Sequence, residues 1–339
     1  MSSGTSQHGA PAGNGAPANG RSGTTGAAGS AVKGVAAMAL AMAMFITNDT
    51  CLKLAVREIP LGEAIFLRSL LSALIILALV ARGGDLSALP MAFRPRVLAR
   101  SGLDALTTFL YVAALAVMPI ASSTTIYMVA PLMTTALAVP LLGEKVSWRS
   151  WCAIVIGFCG ALIVTRPDPA TFSAMALLPA LAAFTGASRD VMTRSIGMEI
   201  PGAVVGFSSG SMLVASAAMF ALWEPWHGLS LQAAAVVGVA SVAFAAGTVL
   251  LVFAFRHAPV ASVSPLRYLM VFGALVSGYL VFGDLPDIWT SAGMVLVVGA
   301  GLYALTCEHR RSVIARRAAA AGCGTAALGA AVACAPAKD

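Results

Sequence analysis

Two short stretches, FITNDTCLK at residues 45–53 and GASRDVMTR at 186–194, each set an acid and a base four residues apart late in a long apolar run. In a helix that spacing stacks Asp49 with Lys53, and Asp190 with Arg194, so that each charge offsets part of the other's burial cost. Two roles suit such a pair. It can anchor a helix end by reaching the interface, or it can act as a gate whose charges exchange partners as helices move. Arg68 and Arg267 lie deeper, each roughly 12 Å into its apolar run at 1.5 Å per residue. A charge at a bilayer centre costs about 2.5–3.5 kcal/mol on insertion scales. These cations therefore need a structural partner, such as Glu63, Asp104 or a helix-end carbonyl, or a place on a solute pathway where they meet a carboxylate or phosphate or keep a carboxylate charged. Asp104 and Glu63 are acids near helix ends, either solvated there or desolvated enough to exchange a coupling proton. Tyr111, Tyr127 and Tyr268 supply aromatic faces and hydroxyls to a cavity, or packing. Pro265, just before Arg267, frees backbone carbonyls that can line such a cavity, and Pro131 is expected to kink its span and open the cavity beside it.

The elements that must position these residues are membrane spans. Hydrophobic residues make up 59% of the 339-residue chain and charged residues only 10%, against about 25% charged in an ordinary soluble domain. Crossing roughly 30 Å of hydrocarbon takes about 20 apolar residues, and the sequence predicts ten such helices: 33–56, 61–81, 99–117, 120–142, 149–165, 172–194, 202–222, 231–255, 260–282 and 288–306. Their joints, among them REIP, LGEK, TRPDP, MEIP and FGDLPD, carry turn residues or charge. Glu144 and Asp284 each follow a glycine at a joint and read as the acidic first turn after a glycine-terminated helix.

With the N-terminus cytoplasmic, Arg57 and Arg166 alone fall in outer segments, Lys53, Arg68, Arg189 and Arg267 lie within spans, and all other Lys and Arg lie inside. The positive-inside rule then puts both termini in the cytoplasm. The net charge of +7 reflects this distribution, so no nucleic-acid partner is expected. Residues 1–30 have the composition of a disordered tail. Residues 309–339 read as a basic, Ala-rich cytoplasmic tail; its stretch 318–337 is treated as tail rather than an eleventh span because Ala and Gly add little to insertion. The Trp residues fall at predicted interfaces, and small-residue faces such as GFCG at 157–160 allow close packing in a monomer or a homodimer.

The motif D-x3-[K/R]-x4-E-I-P is written twice. A shift of 141 lays Asp190 on Asp49, Arg194 on Lys53, the second EIP on the first and Phe207 on Phe66; a shift of 140 lays Pro259, Ala261 and Ser262 on Pro119, Ala121 and Ser122, and Gly283-Asp284 on Gly143-Glu144. A unit of five spans is odd in number, so the second copy enters the membrane upside down, the inverted-repeat architecture of secondary transporters. Asp49 then lies near the outer face, roughly 20 Å from the inner one, and Asp190 near the inner. The boundaries are 31–166 for the first repeat and 167–308 for the second.

This layout resembles the drug/metabolite transporter superfamily, in particular its EamA-type members. The residues that carry the resemblance are ND and Lys53 late in the first span, EIPLGEAIFLR entering the second, the run from APLMTTALAV to ALIVTRP over 130–167, and FGDLPDIWTSAGMVLVVGAGLY over 282–303. It covers about 31–308, and the final segment looks like the branch that includes S-adenosylmethionine carriers. The resemblance implies an all-α integral membrane protein, multi-pass in a bacterial cytoplasmic membrane, that moves a small organic metabolite such as an amino-acid-like or nucleoside-type solute. Arg68 matches the family's F-x-R position, here Phe66-Leu67-Arg68; Arg267 takes no role from it.

Enzymatic alternatives lack residues. There is no H-E-x-x-H, no Cys/His cluster at metal spacing and no Ser/His pair, since His8 and His309 lie in tails and His227 and His257 at joints. No phosphate-binding G-x-x-x-x-G-K-[S/T] loop exists to hydrolyse ATP. No cofactor or metal is expected; a receptor or scaffold without flux is the alternative that the residues leave open.

Overall fold

The structure is a computed structural model that describes residues 22–83, 90–143, 148–165, 174–196, 200, 202–226, 228–257 and 263–307. Residues 1–21 of the first tail, Glu144, Glu199, Pro201 and the tail 309–339 lie outside the described residues. The chain is a bundle of helices: α1 (Ser22–Ala55), α2 (Leu61–Gly83), α3 (Pro95–Val117), α4 (Ile120–Tyr127), α5 (Ala130–Leu142), α6 (Trp148–Thr165), α7 (Leu177–Ser195), α8 (Gly202–Ala221), α9 (Leu231–His257), α10 (Leu269–Ser277) and α11 (Ile288–Cys307). Among the described residues there is no strand. That follows from the solvent: in hydrocarbon each backbone N–H and C=O needs a partner within its own segment, which a helix supplies.

Among the described residues, eight helical segments are long and apolar enough to cross a membrane, with α4 and α5 counted as one and Ser264–Phe282 as another. The other two expected spans are also helices. In α7 the charges of Arg189, Asp190 and Arg194 lower the hydropathy, and the apolar part of α8 is the shorter run Val204–Phe220. The first helix begins at Ser22, so the last residues of the expected disordered tail are helical.

Local chemistry sets the breaks. Pro119 holds Met118 extended (φ −128°, ψ 158°) and ends α3. Pro131 has no N–H to offer the Tyr127 carbonyl, and the span breaks at Met128–Val129 before α5 begins. Pro265 lies in a 3₁₀ turn, Ser264–Tyr268, and a π turn, Gly278–Phe282, follows α10. Gly143 (φ 68°) and Gly283 (φ 71°) close α5 and the π turn in the left-handed conformation that favours glycine. These two are the glycines that the 140-residue shift superposes.

Helix α1 packs along α9, α3 along α7 and α8, α2 against α8 and α9, and α10 against α1 and α4. One apolar core joins Leu132, Ile154, Met294 and Val297; another joins Leu52, Ile65, Val112, Leu213 and Val237. Outward faces, for example Val155, Ile156 and Leu162 of α6, stay apolar and exposed, as lipid contact requires. The GFCG glycines are taken within the chain: Gly157 abuts Leu132 and Ala300, while Gly160 lies against Gly293 and Leu296 of α11.

A Cβ at Gly293 would come within 2.6 Å of the Gly160 carbonyl oxygen, whereas one at Gly299 meets nothing within 4 Å. Gly293→Leu is therefore expected to destabilise the protein by about 1–3 kcal/mol, read as a lower Tm in detergent, with Gly299→Leu close to wild type. Equal Tm values would show that the α6–α11 contact is not tight.

Candidate functional site

The charged residues singled out above gather between helices, although their partners differ from the expected ones. Asp49 is buried near the end of α1. Its Oδ1 accepts from Asn48 Nδ2 at 2.9 Å and its Oδ2 accepts from the Tyr111 hydroxyl of α3 at 3.0 Å. Thr124 of α4 lies 2.9 Å from the same Tyr111 oxygen and, since the tyrosine proton is committed to Asp49, is the donor there. Tyr111 and Tyr127 rings pack 4.9 Å apart at 43°, and the Tyr127 hydroxyl lies beside Gly186 of α7, where an added Cβ would come within 3.2 Å of it.

Lys53 does not pair with Asp49. Its Nζ donates to the Met118 carbonyl at 2.6 Å and lies 3.9 Å from Asp284 Oδ2. The Met118 carbonyl caps α3 and has no partner inside its own helix, so an ammonium is well placed there. Phe282 stacks beneath both Lys53 and Arg57, at 4.9 and 4.8 Å from its centroid. At the same end Glu224 accepts from the Gly62 amide at 2.8 Å and Glu58 from the Ser230 hydroxyl at 3.0 Å.

A second cluster joins α3, α7 and α8. Asp104 of α3 accepts from Arg189 of α7 at 2.6 Å and from Arg100, one turn back on α3, at 3.3 Å. Arg189 also donates through Nε to Asp190 Oδ1 at 2.9 Å, and Arg267 approaches Asp190 Oδ2 at 3.9 Å. Arg100 continues to Thr193 of α7 at 3.1 Å and to Ser209 of α8; Ser101 donates to Ser208 at 2.9 Å. Asp190 thus finds Arg189 and Arg267, and the side chain of Arg194 lies outside the described residues.

Between the two clusters sits Arg68 of α2, only 2% exposed. Its guanidinium carbon lies 4.3 Å from the Phe244 ring centroid of α9, and Phe244 meets Phe45 of α1 edge on. Asp49 and Asp104 both act on Arg68 electrostatically, yet its Nε and Nη1 have no hydrogen-bond partner among the described residues. Glu63 is buried in the first turn of α2. Tyr268 lies apart from the other tyrosines' cluster, in the apolar core with Leu132 and Val297, its hydroxyl unpartnered. A groove of about 490 Å³ between α1 and α10, lined by Met42, Ile46, Phe272 and Val281 among others, holds no charge; its Thr47 and Thr50 hydroxyls donate to carbonyls of α1 itself.

Asn48, Arg100, Arg189, Ser209 and Phe244 were not singled out as site residues from the sequence. A signal did exist for two of them. The 141-residue shift superposes Asn48 and Arg189, and each donates to the aspartate that follows it. The residues before the two aspartates belong to the repeated motif.

A bundle of apolar helices long enough to cross a membrane, with polar clusters buried between them, is that of a multi-pass integral membrane protein. Residues 32–166 match the EamA-like transporter family. Across most of its length the chain is similar to named transporters and exporters of small metabolites. It is 26% identical to an S-adenosylmethionine uptake transporter of Rickettsia prowazekii (82% of this chain, 94% of that one). It is 26% identical to a pseudopaline exporter of Pseudomonas aeruginosa (79% and 94%) and 29% identical to a riboflavin transporter of Rhizobium johnstonii (82% and 90%). A solved crystal structure superposes with a TM-score of 0.54 over 84% of this chain and 98% of its own, at 18% identity, a likeness of fold.

Tyr111→Phe keeps the ring and removes the proton that Asp49 accepts. Leaving that buried oxygen short of a donor is expected to cost about 1–3 kcal/mol, measured as a loss of thermal stability in detergent. An unchanged Tm would show that water replaces the hydroxyl.

Proposed function

We propose that the protein is a secondary transporter that carries a small organic metabolite across a bacterial cytoplasmic membrane by alternating access between two inverted five-helix halves, 31–166 and 167–308, with both termini cytoplasmic. The observation that carries this reading is the arrangement of polar contacts. Lys53 reaches Asp284 at one end and Asp104 holds Arg189 at the other, and both pairs join residues of the first half to residues of the second. Two such latches with a buried cation between them suit a path that opens to one side at a time.

The packing supports the inversion. Under the repeat, α1, α2 and α3 correspond to α7, α8 and α9. The contact of α1 with α9 has its counterpart in α7 with α3, and that of α2 with α9 in α8 with α3. The relatives are bacterial and are named for solutes that share little beyond being small metabolites, which fits a common carrier body around a variable site.

Reconstituted into proteoliposomes, the full chain is expected to give saturable, protein-dependent flux of at least one of labelled S-adenosylmethionine, riboflavin or an amino-acid panel, with a response to an imposed pH gradient if a proton is coupled. Binding without flux would replace the transporter by a receptor. Asp104→Asn removes the charge that holds Arg100 and Arg189, and a coupling of about 1–3 kcal/mol corresponds to roughly 5–150-fold in population. In a background lacking other thiols, Ser101→Cys is therefore expected to react with an impermeant maleimide at least about fivefold faster when combined with Asp104→Asn; an unchanged rate would show that this cluster is no latch.

A further inference from the structure

The charges that bridge the two halves have further partners inside their own halves. Asp104 offers its two oxygens to different arginines: Oδ1 accepts from Arg189 of α7 at 2.6 Å, across the halves, and Oδ2 from Arg100, one turn back on α3, at 3.3 Å. Arg189 divides its donors in the same way. Its Nη1 goes to Asp104, while Nε and Nη2 lie 2.9 and 2.8 Å from Asp190 Oδ1 on its own helix. At the other end Lys53 donates to the Met118 carbonyl of its own half at 2.6 Å and lies 3.9 Å from Asp284 of the second half.

This division decides what separation of the halves leaves behind. A partly buried ion pair resists breaking because each charge is left uncompensated. Parting Asp104 from Arg189, however, leaves Asp104 with Arg100 on α3 and Arg189 with Asp190 on α7, so neither charge is stranded. Neighbouring bonds across the halves run through hydroxyls, from Arg100 to Thr193 and Ser209 and from Ser101 to Ser208, and water can take the place of such partners. At the other end Lys53 keeps the Met118 carbonyl, and Asp284, its side chain 39% exposed, is left to solvent.

Resting on the transporter reading, we infer that Asp190 is a positioning residue for the conformational cycle: it holds Arg189 once Asp104 has let go, and so sets how readily the Asp104 end opens. The contacts of Asp190 are with Arg189 and Arg267, both in the second half, so removing its charge breaks no bond between the halves. The sign of its effect is therefore opposite to that of Asp104. Without Asp190, Arg189 depends on Asp104 alone and the end is held shut; without Asp104 the end is released.

Labelling of single-cysteine reporters with a maleimide, on the purified full chain in detergent and in a background lacking other thiols, tests that sign. Ser101→Cys is buried beside Ser208 at the Asp104 end, and Ile120→Cys is buried beside Gly278 at the Lys53 end. Asp190→Asn is expected to slow labelling at the first reporter at least about fivefold and to speed it at the second. In the double variant Asp104→Asn with Asp190→Asn the slowing is expected to vanish, because Arg189 then has no carboxylate across the halves to depend on. Asp190→Ser removes the same charge and serves where the Asn variant does not fold. Labelling at Ser101→Cys that is unchanged or faster without the Asp190 charge, or slowed as much in the absence of Asp104, would overturn the inference. Slowing at Ser101→Cys with no change at Ile120→Cys would keep the role of Asp190 and overturn the alternation of the two ends.

Discussion

A charge inside an apolar bundle is tolerated only where another helix brings it a partner, and this constraint ties the helices of the protein together. Asp104 is the clearest case. One carboxylate on α3 receives Arg189 from α7 and Arg100 from its own helix, and Arg100 goes on to α8 through Ser209. Removing any member would strand the others in low dielectric, where an uncompensated charge is expensive. Each contact thus fixes the others, and α3, α7 and α8 are held in one register.

The same logic explains why Lys53 turns away from Asp49. An i,i+4 pair on an isolated helix contributes only a few tenths of a kcal/mol. At the end of α3 the Met118 carbonyl has no donor in its own helix, and Lys53 reaches it at 2.6 Å while staying near Asp284. Asp49 is released to Asn48 and Tyr111. The exchange leaves Arg68 without an ion pair in contact among the described residues, and Phe244 packs on it.

Around this polar centre the scaffold is tight where it carries no charge. Gly160 and Gly293 bring α6 and α11 nearly backbone to backbone, Gly247 lets α9 close on Phe45, and Gly273 lets α10 close on Ile46. Without a hydrophobic drive between helices in lipid, close packing through small residues is what holds such a bundle together. The glycines and the buried charges are complementary in this respect, since the glycines allow close approach and the charges select the partner.

Features that repeat or break locally along the chain could be read from its residues: the apolar runs, the breaks at Pro119, Pro131, Gly143 and Gly283, and the doubled D-x3-[K/R]-x4-E-I-P motif. Length, hydropathy and the turn residues suffice for these because they depend on neighbours in the chain. Asp49, Asp104, Arg68 and Tyr111 stood out too, since a polar residue amid apolar ones draws notice wherever it falls. Which charges pair with which partners was set by the packing of the helices. Lys53 chose a carbonyl 65 residues away, Arg189 an aspartate 85 residues away, and Tyr268 packed into the apolar core while Tyr111 met Asp49. Those choices rest on which helix ends lie within hydrogen-bond reach and which acceptors remain unpaired there, quantities set by the packing of the whole bundle and absent from any window of the chain.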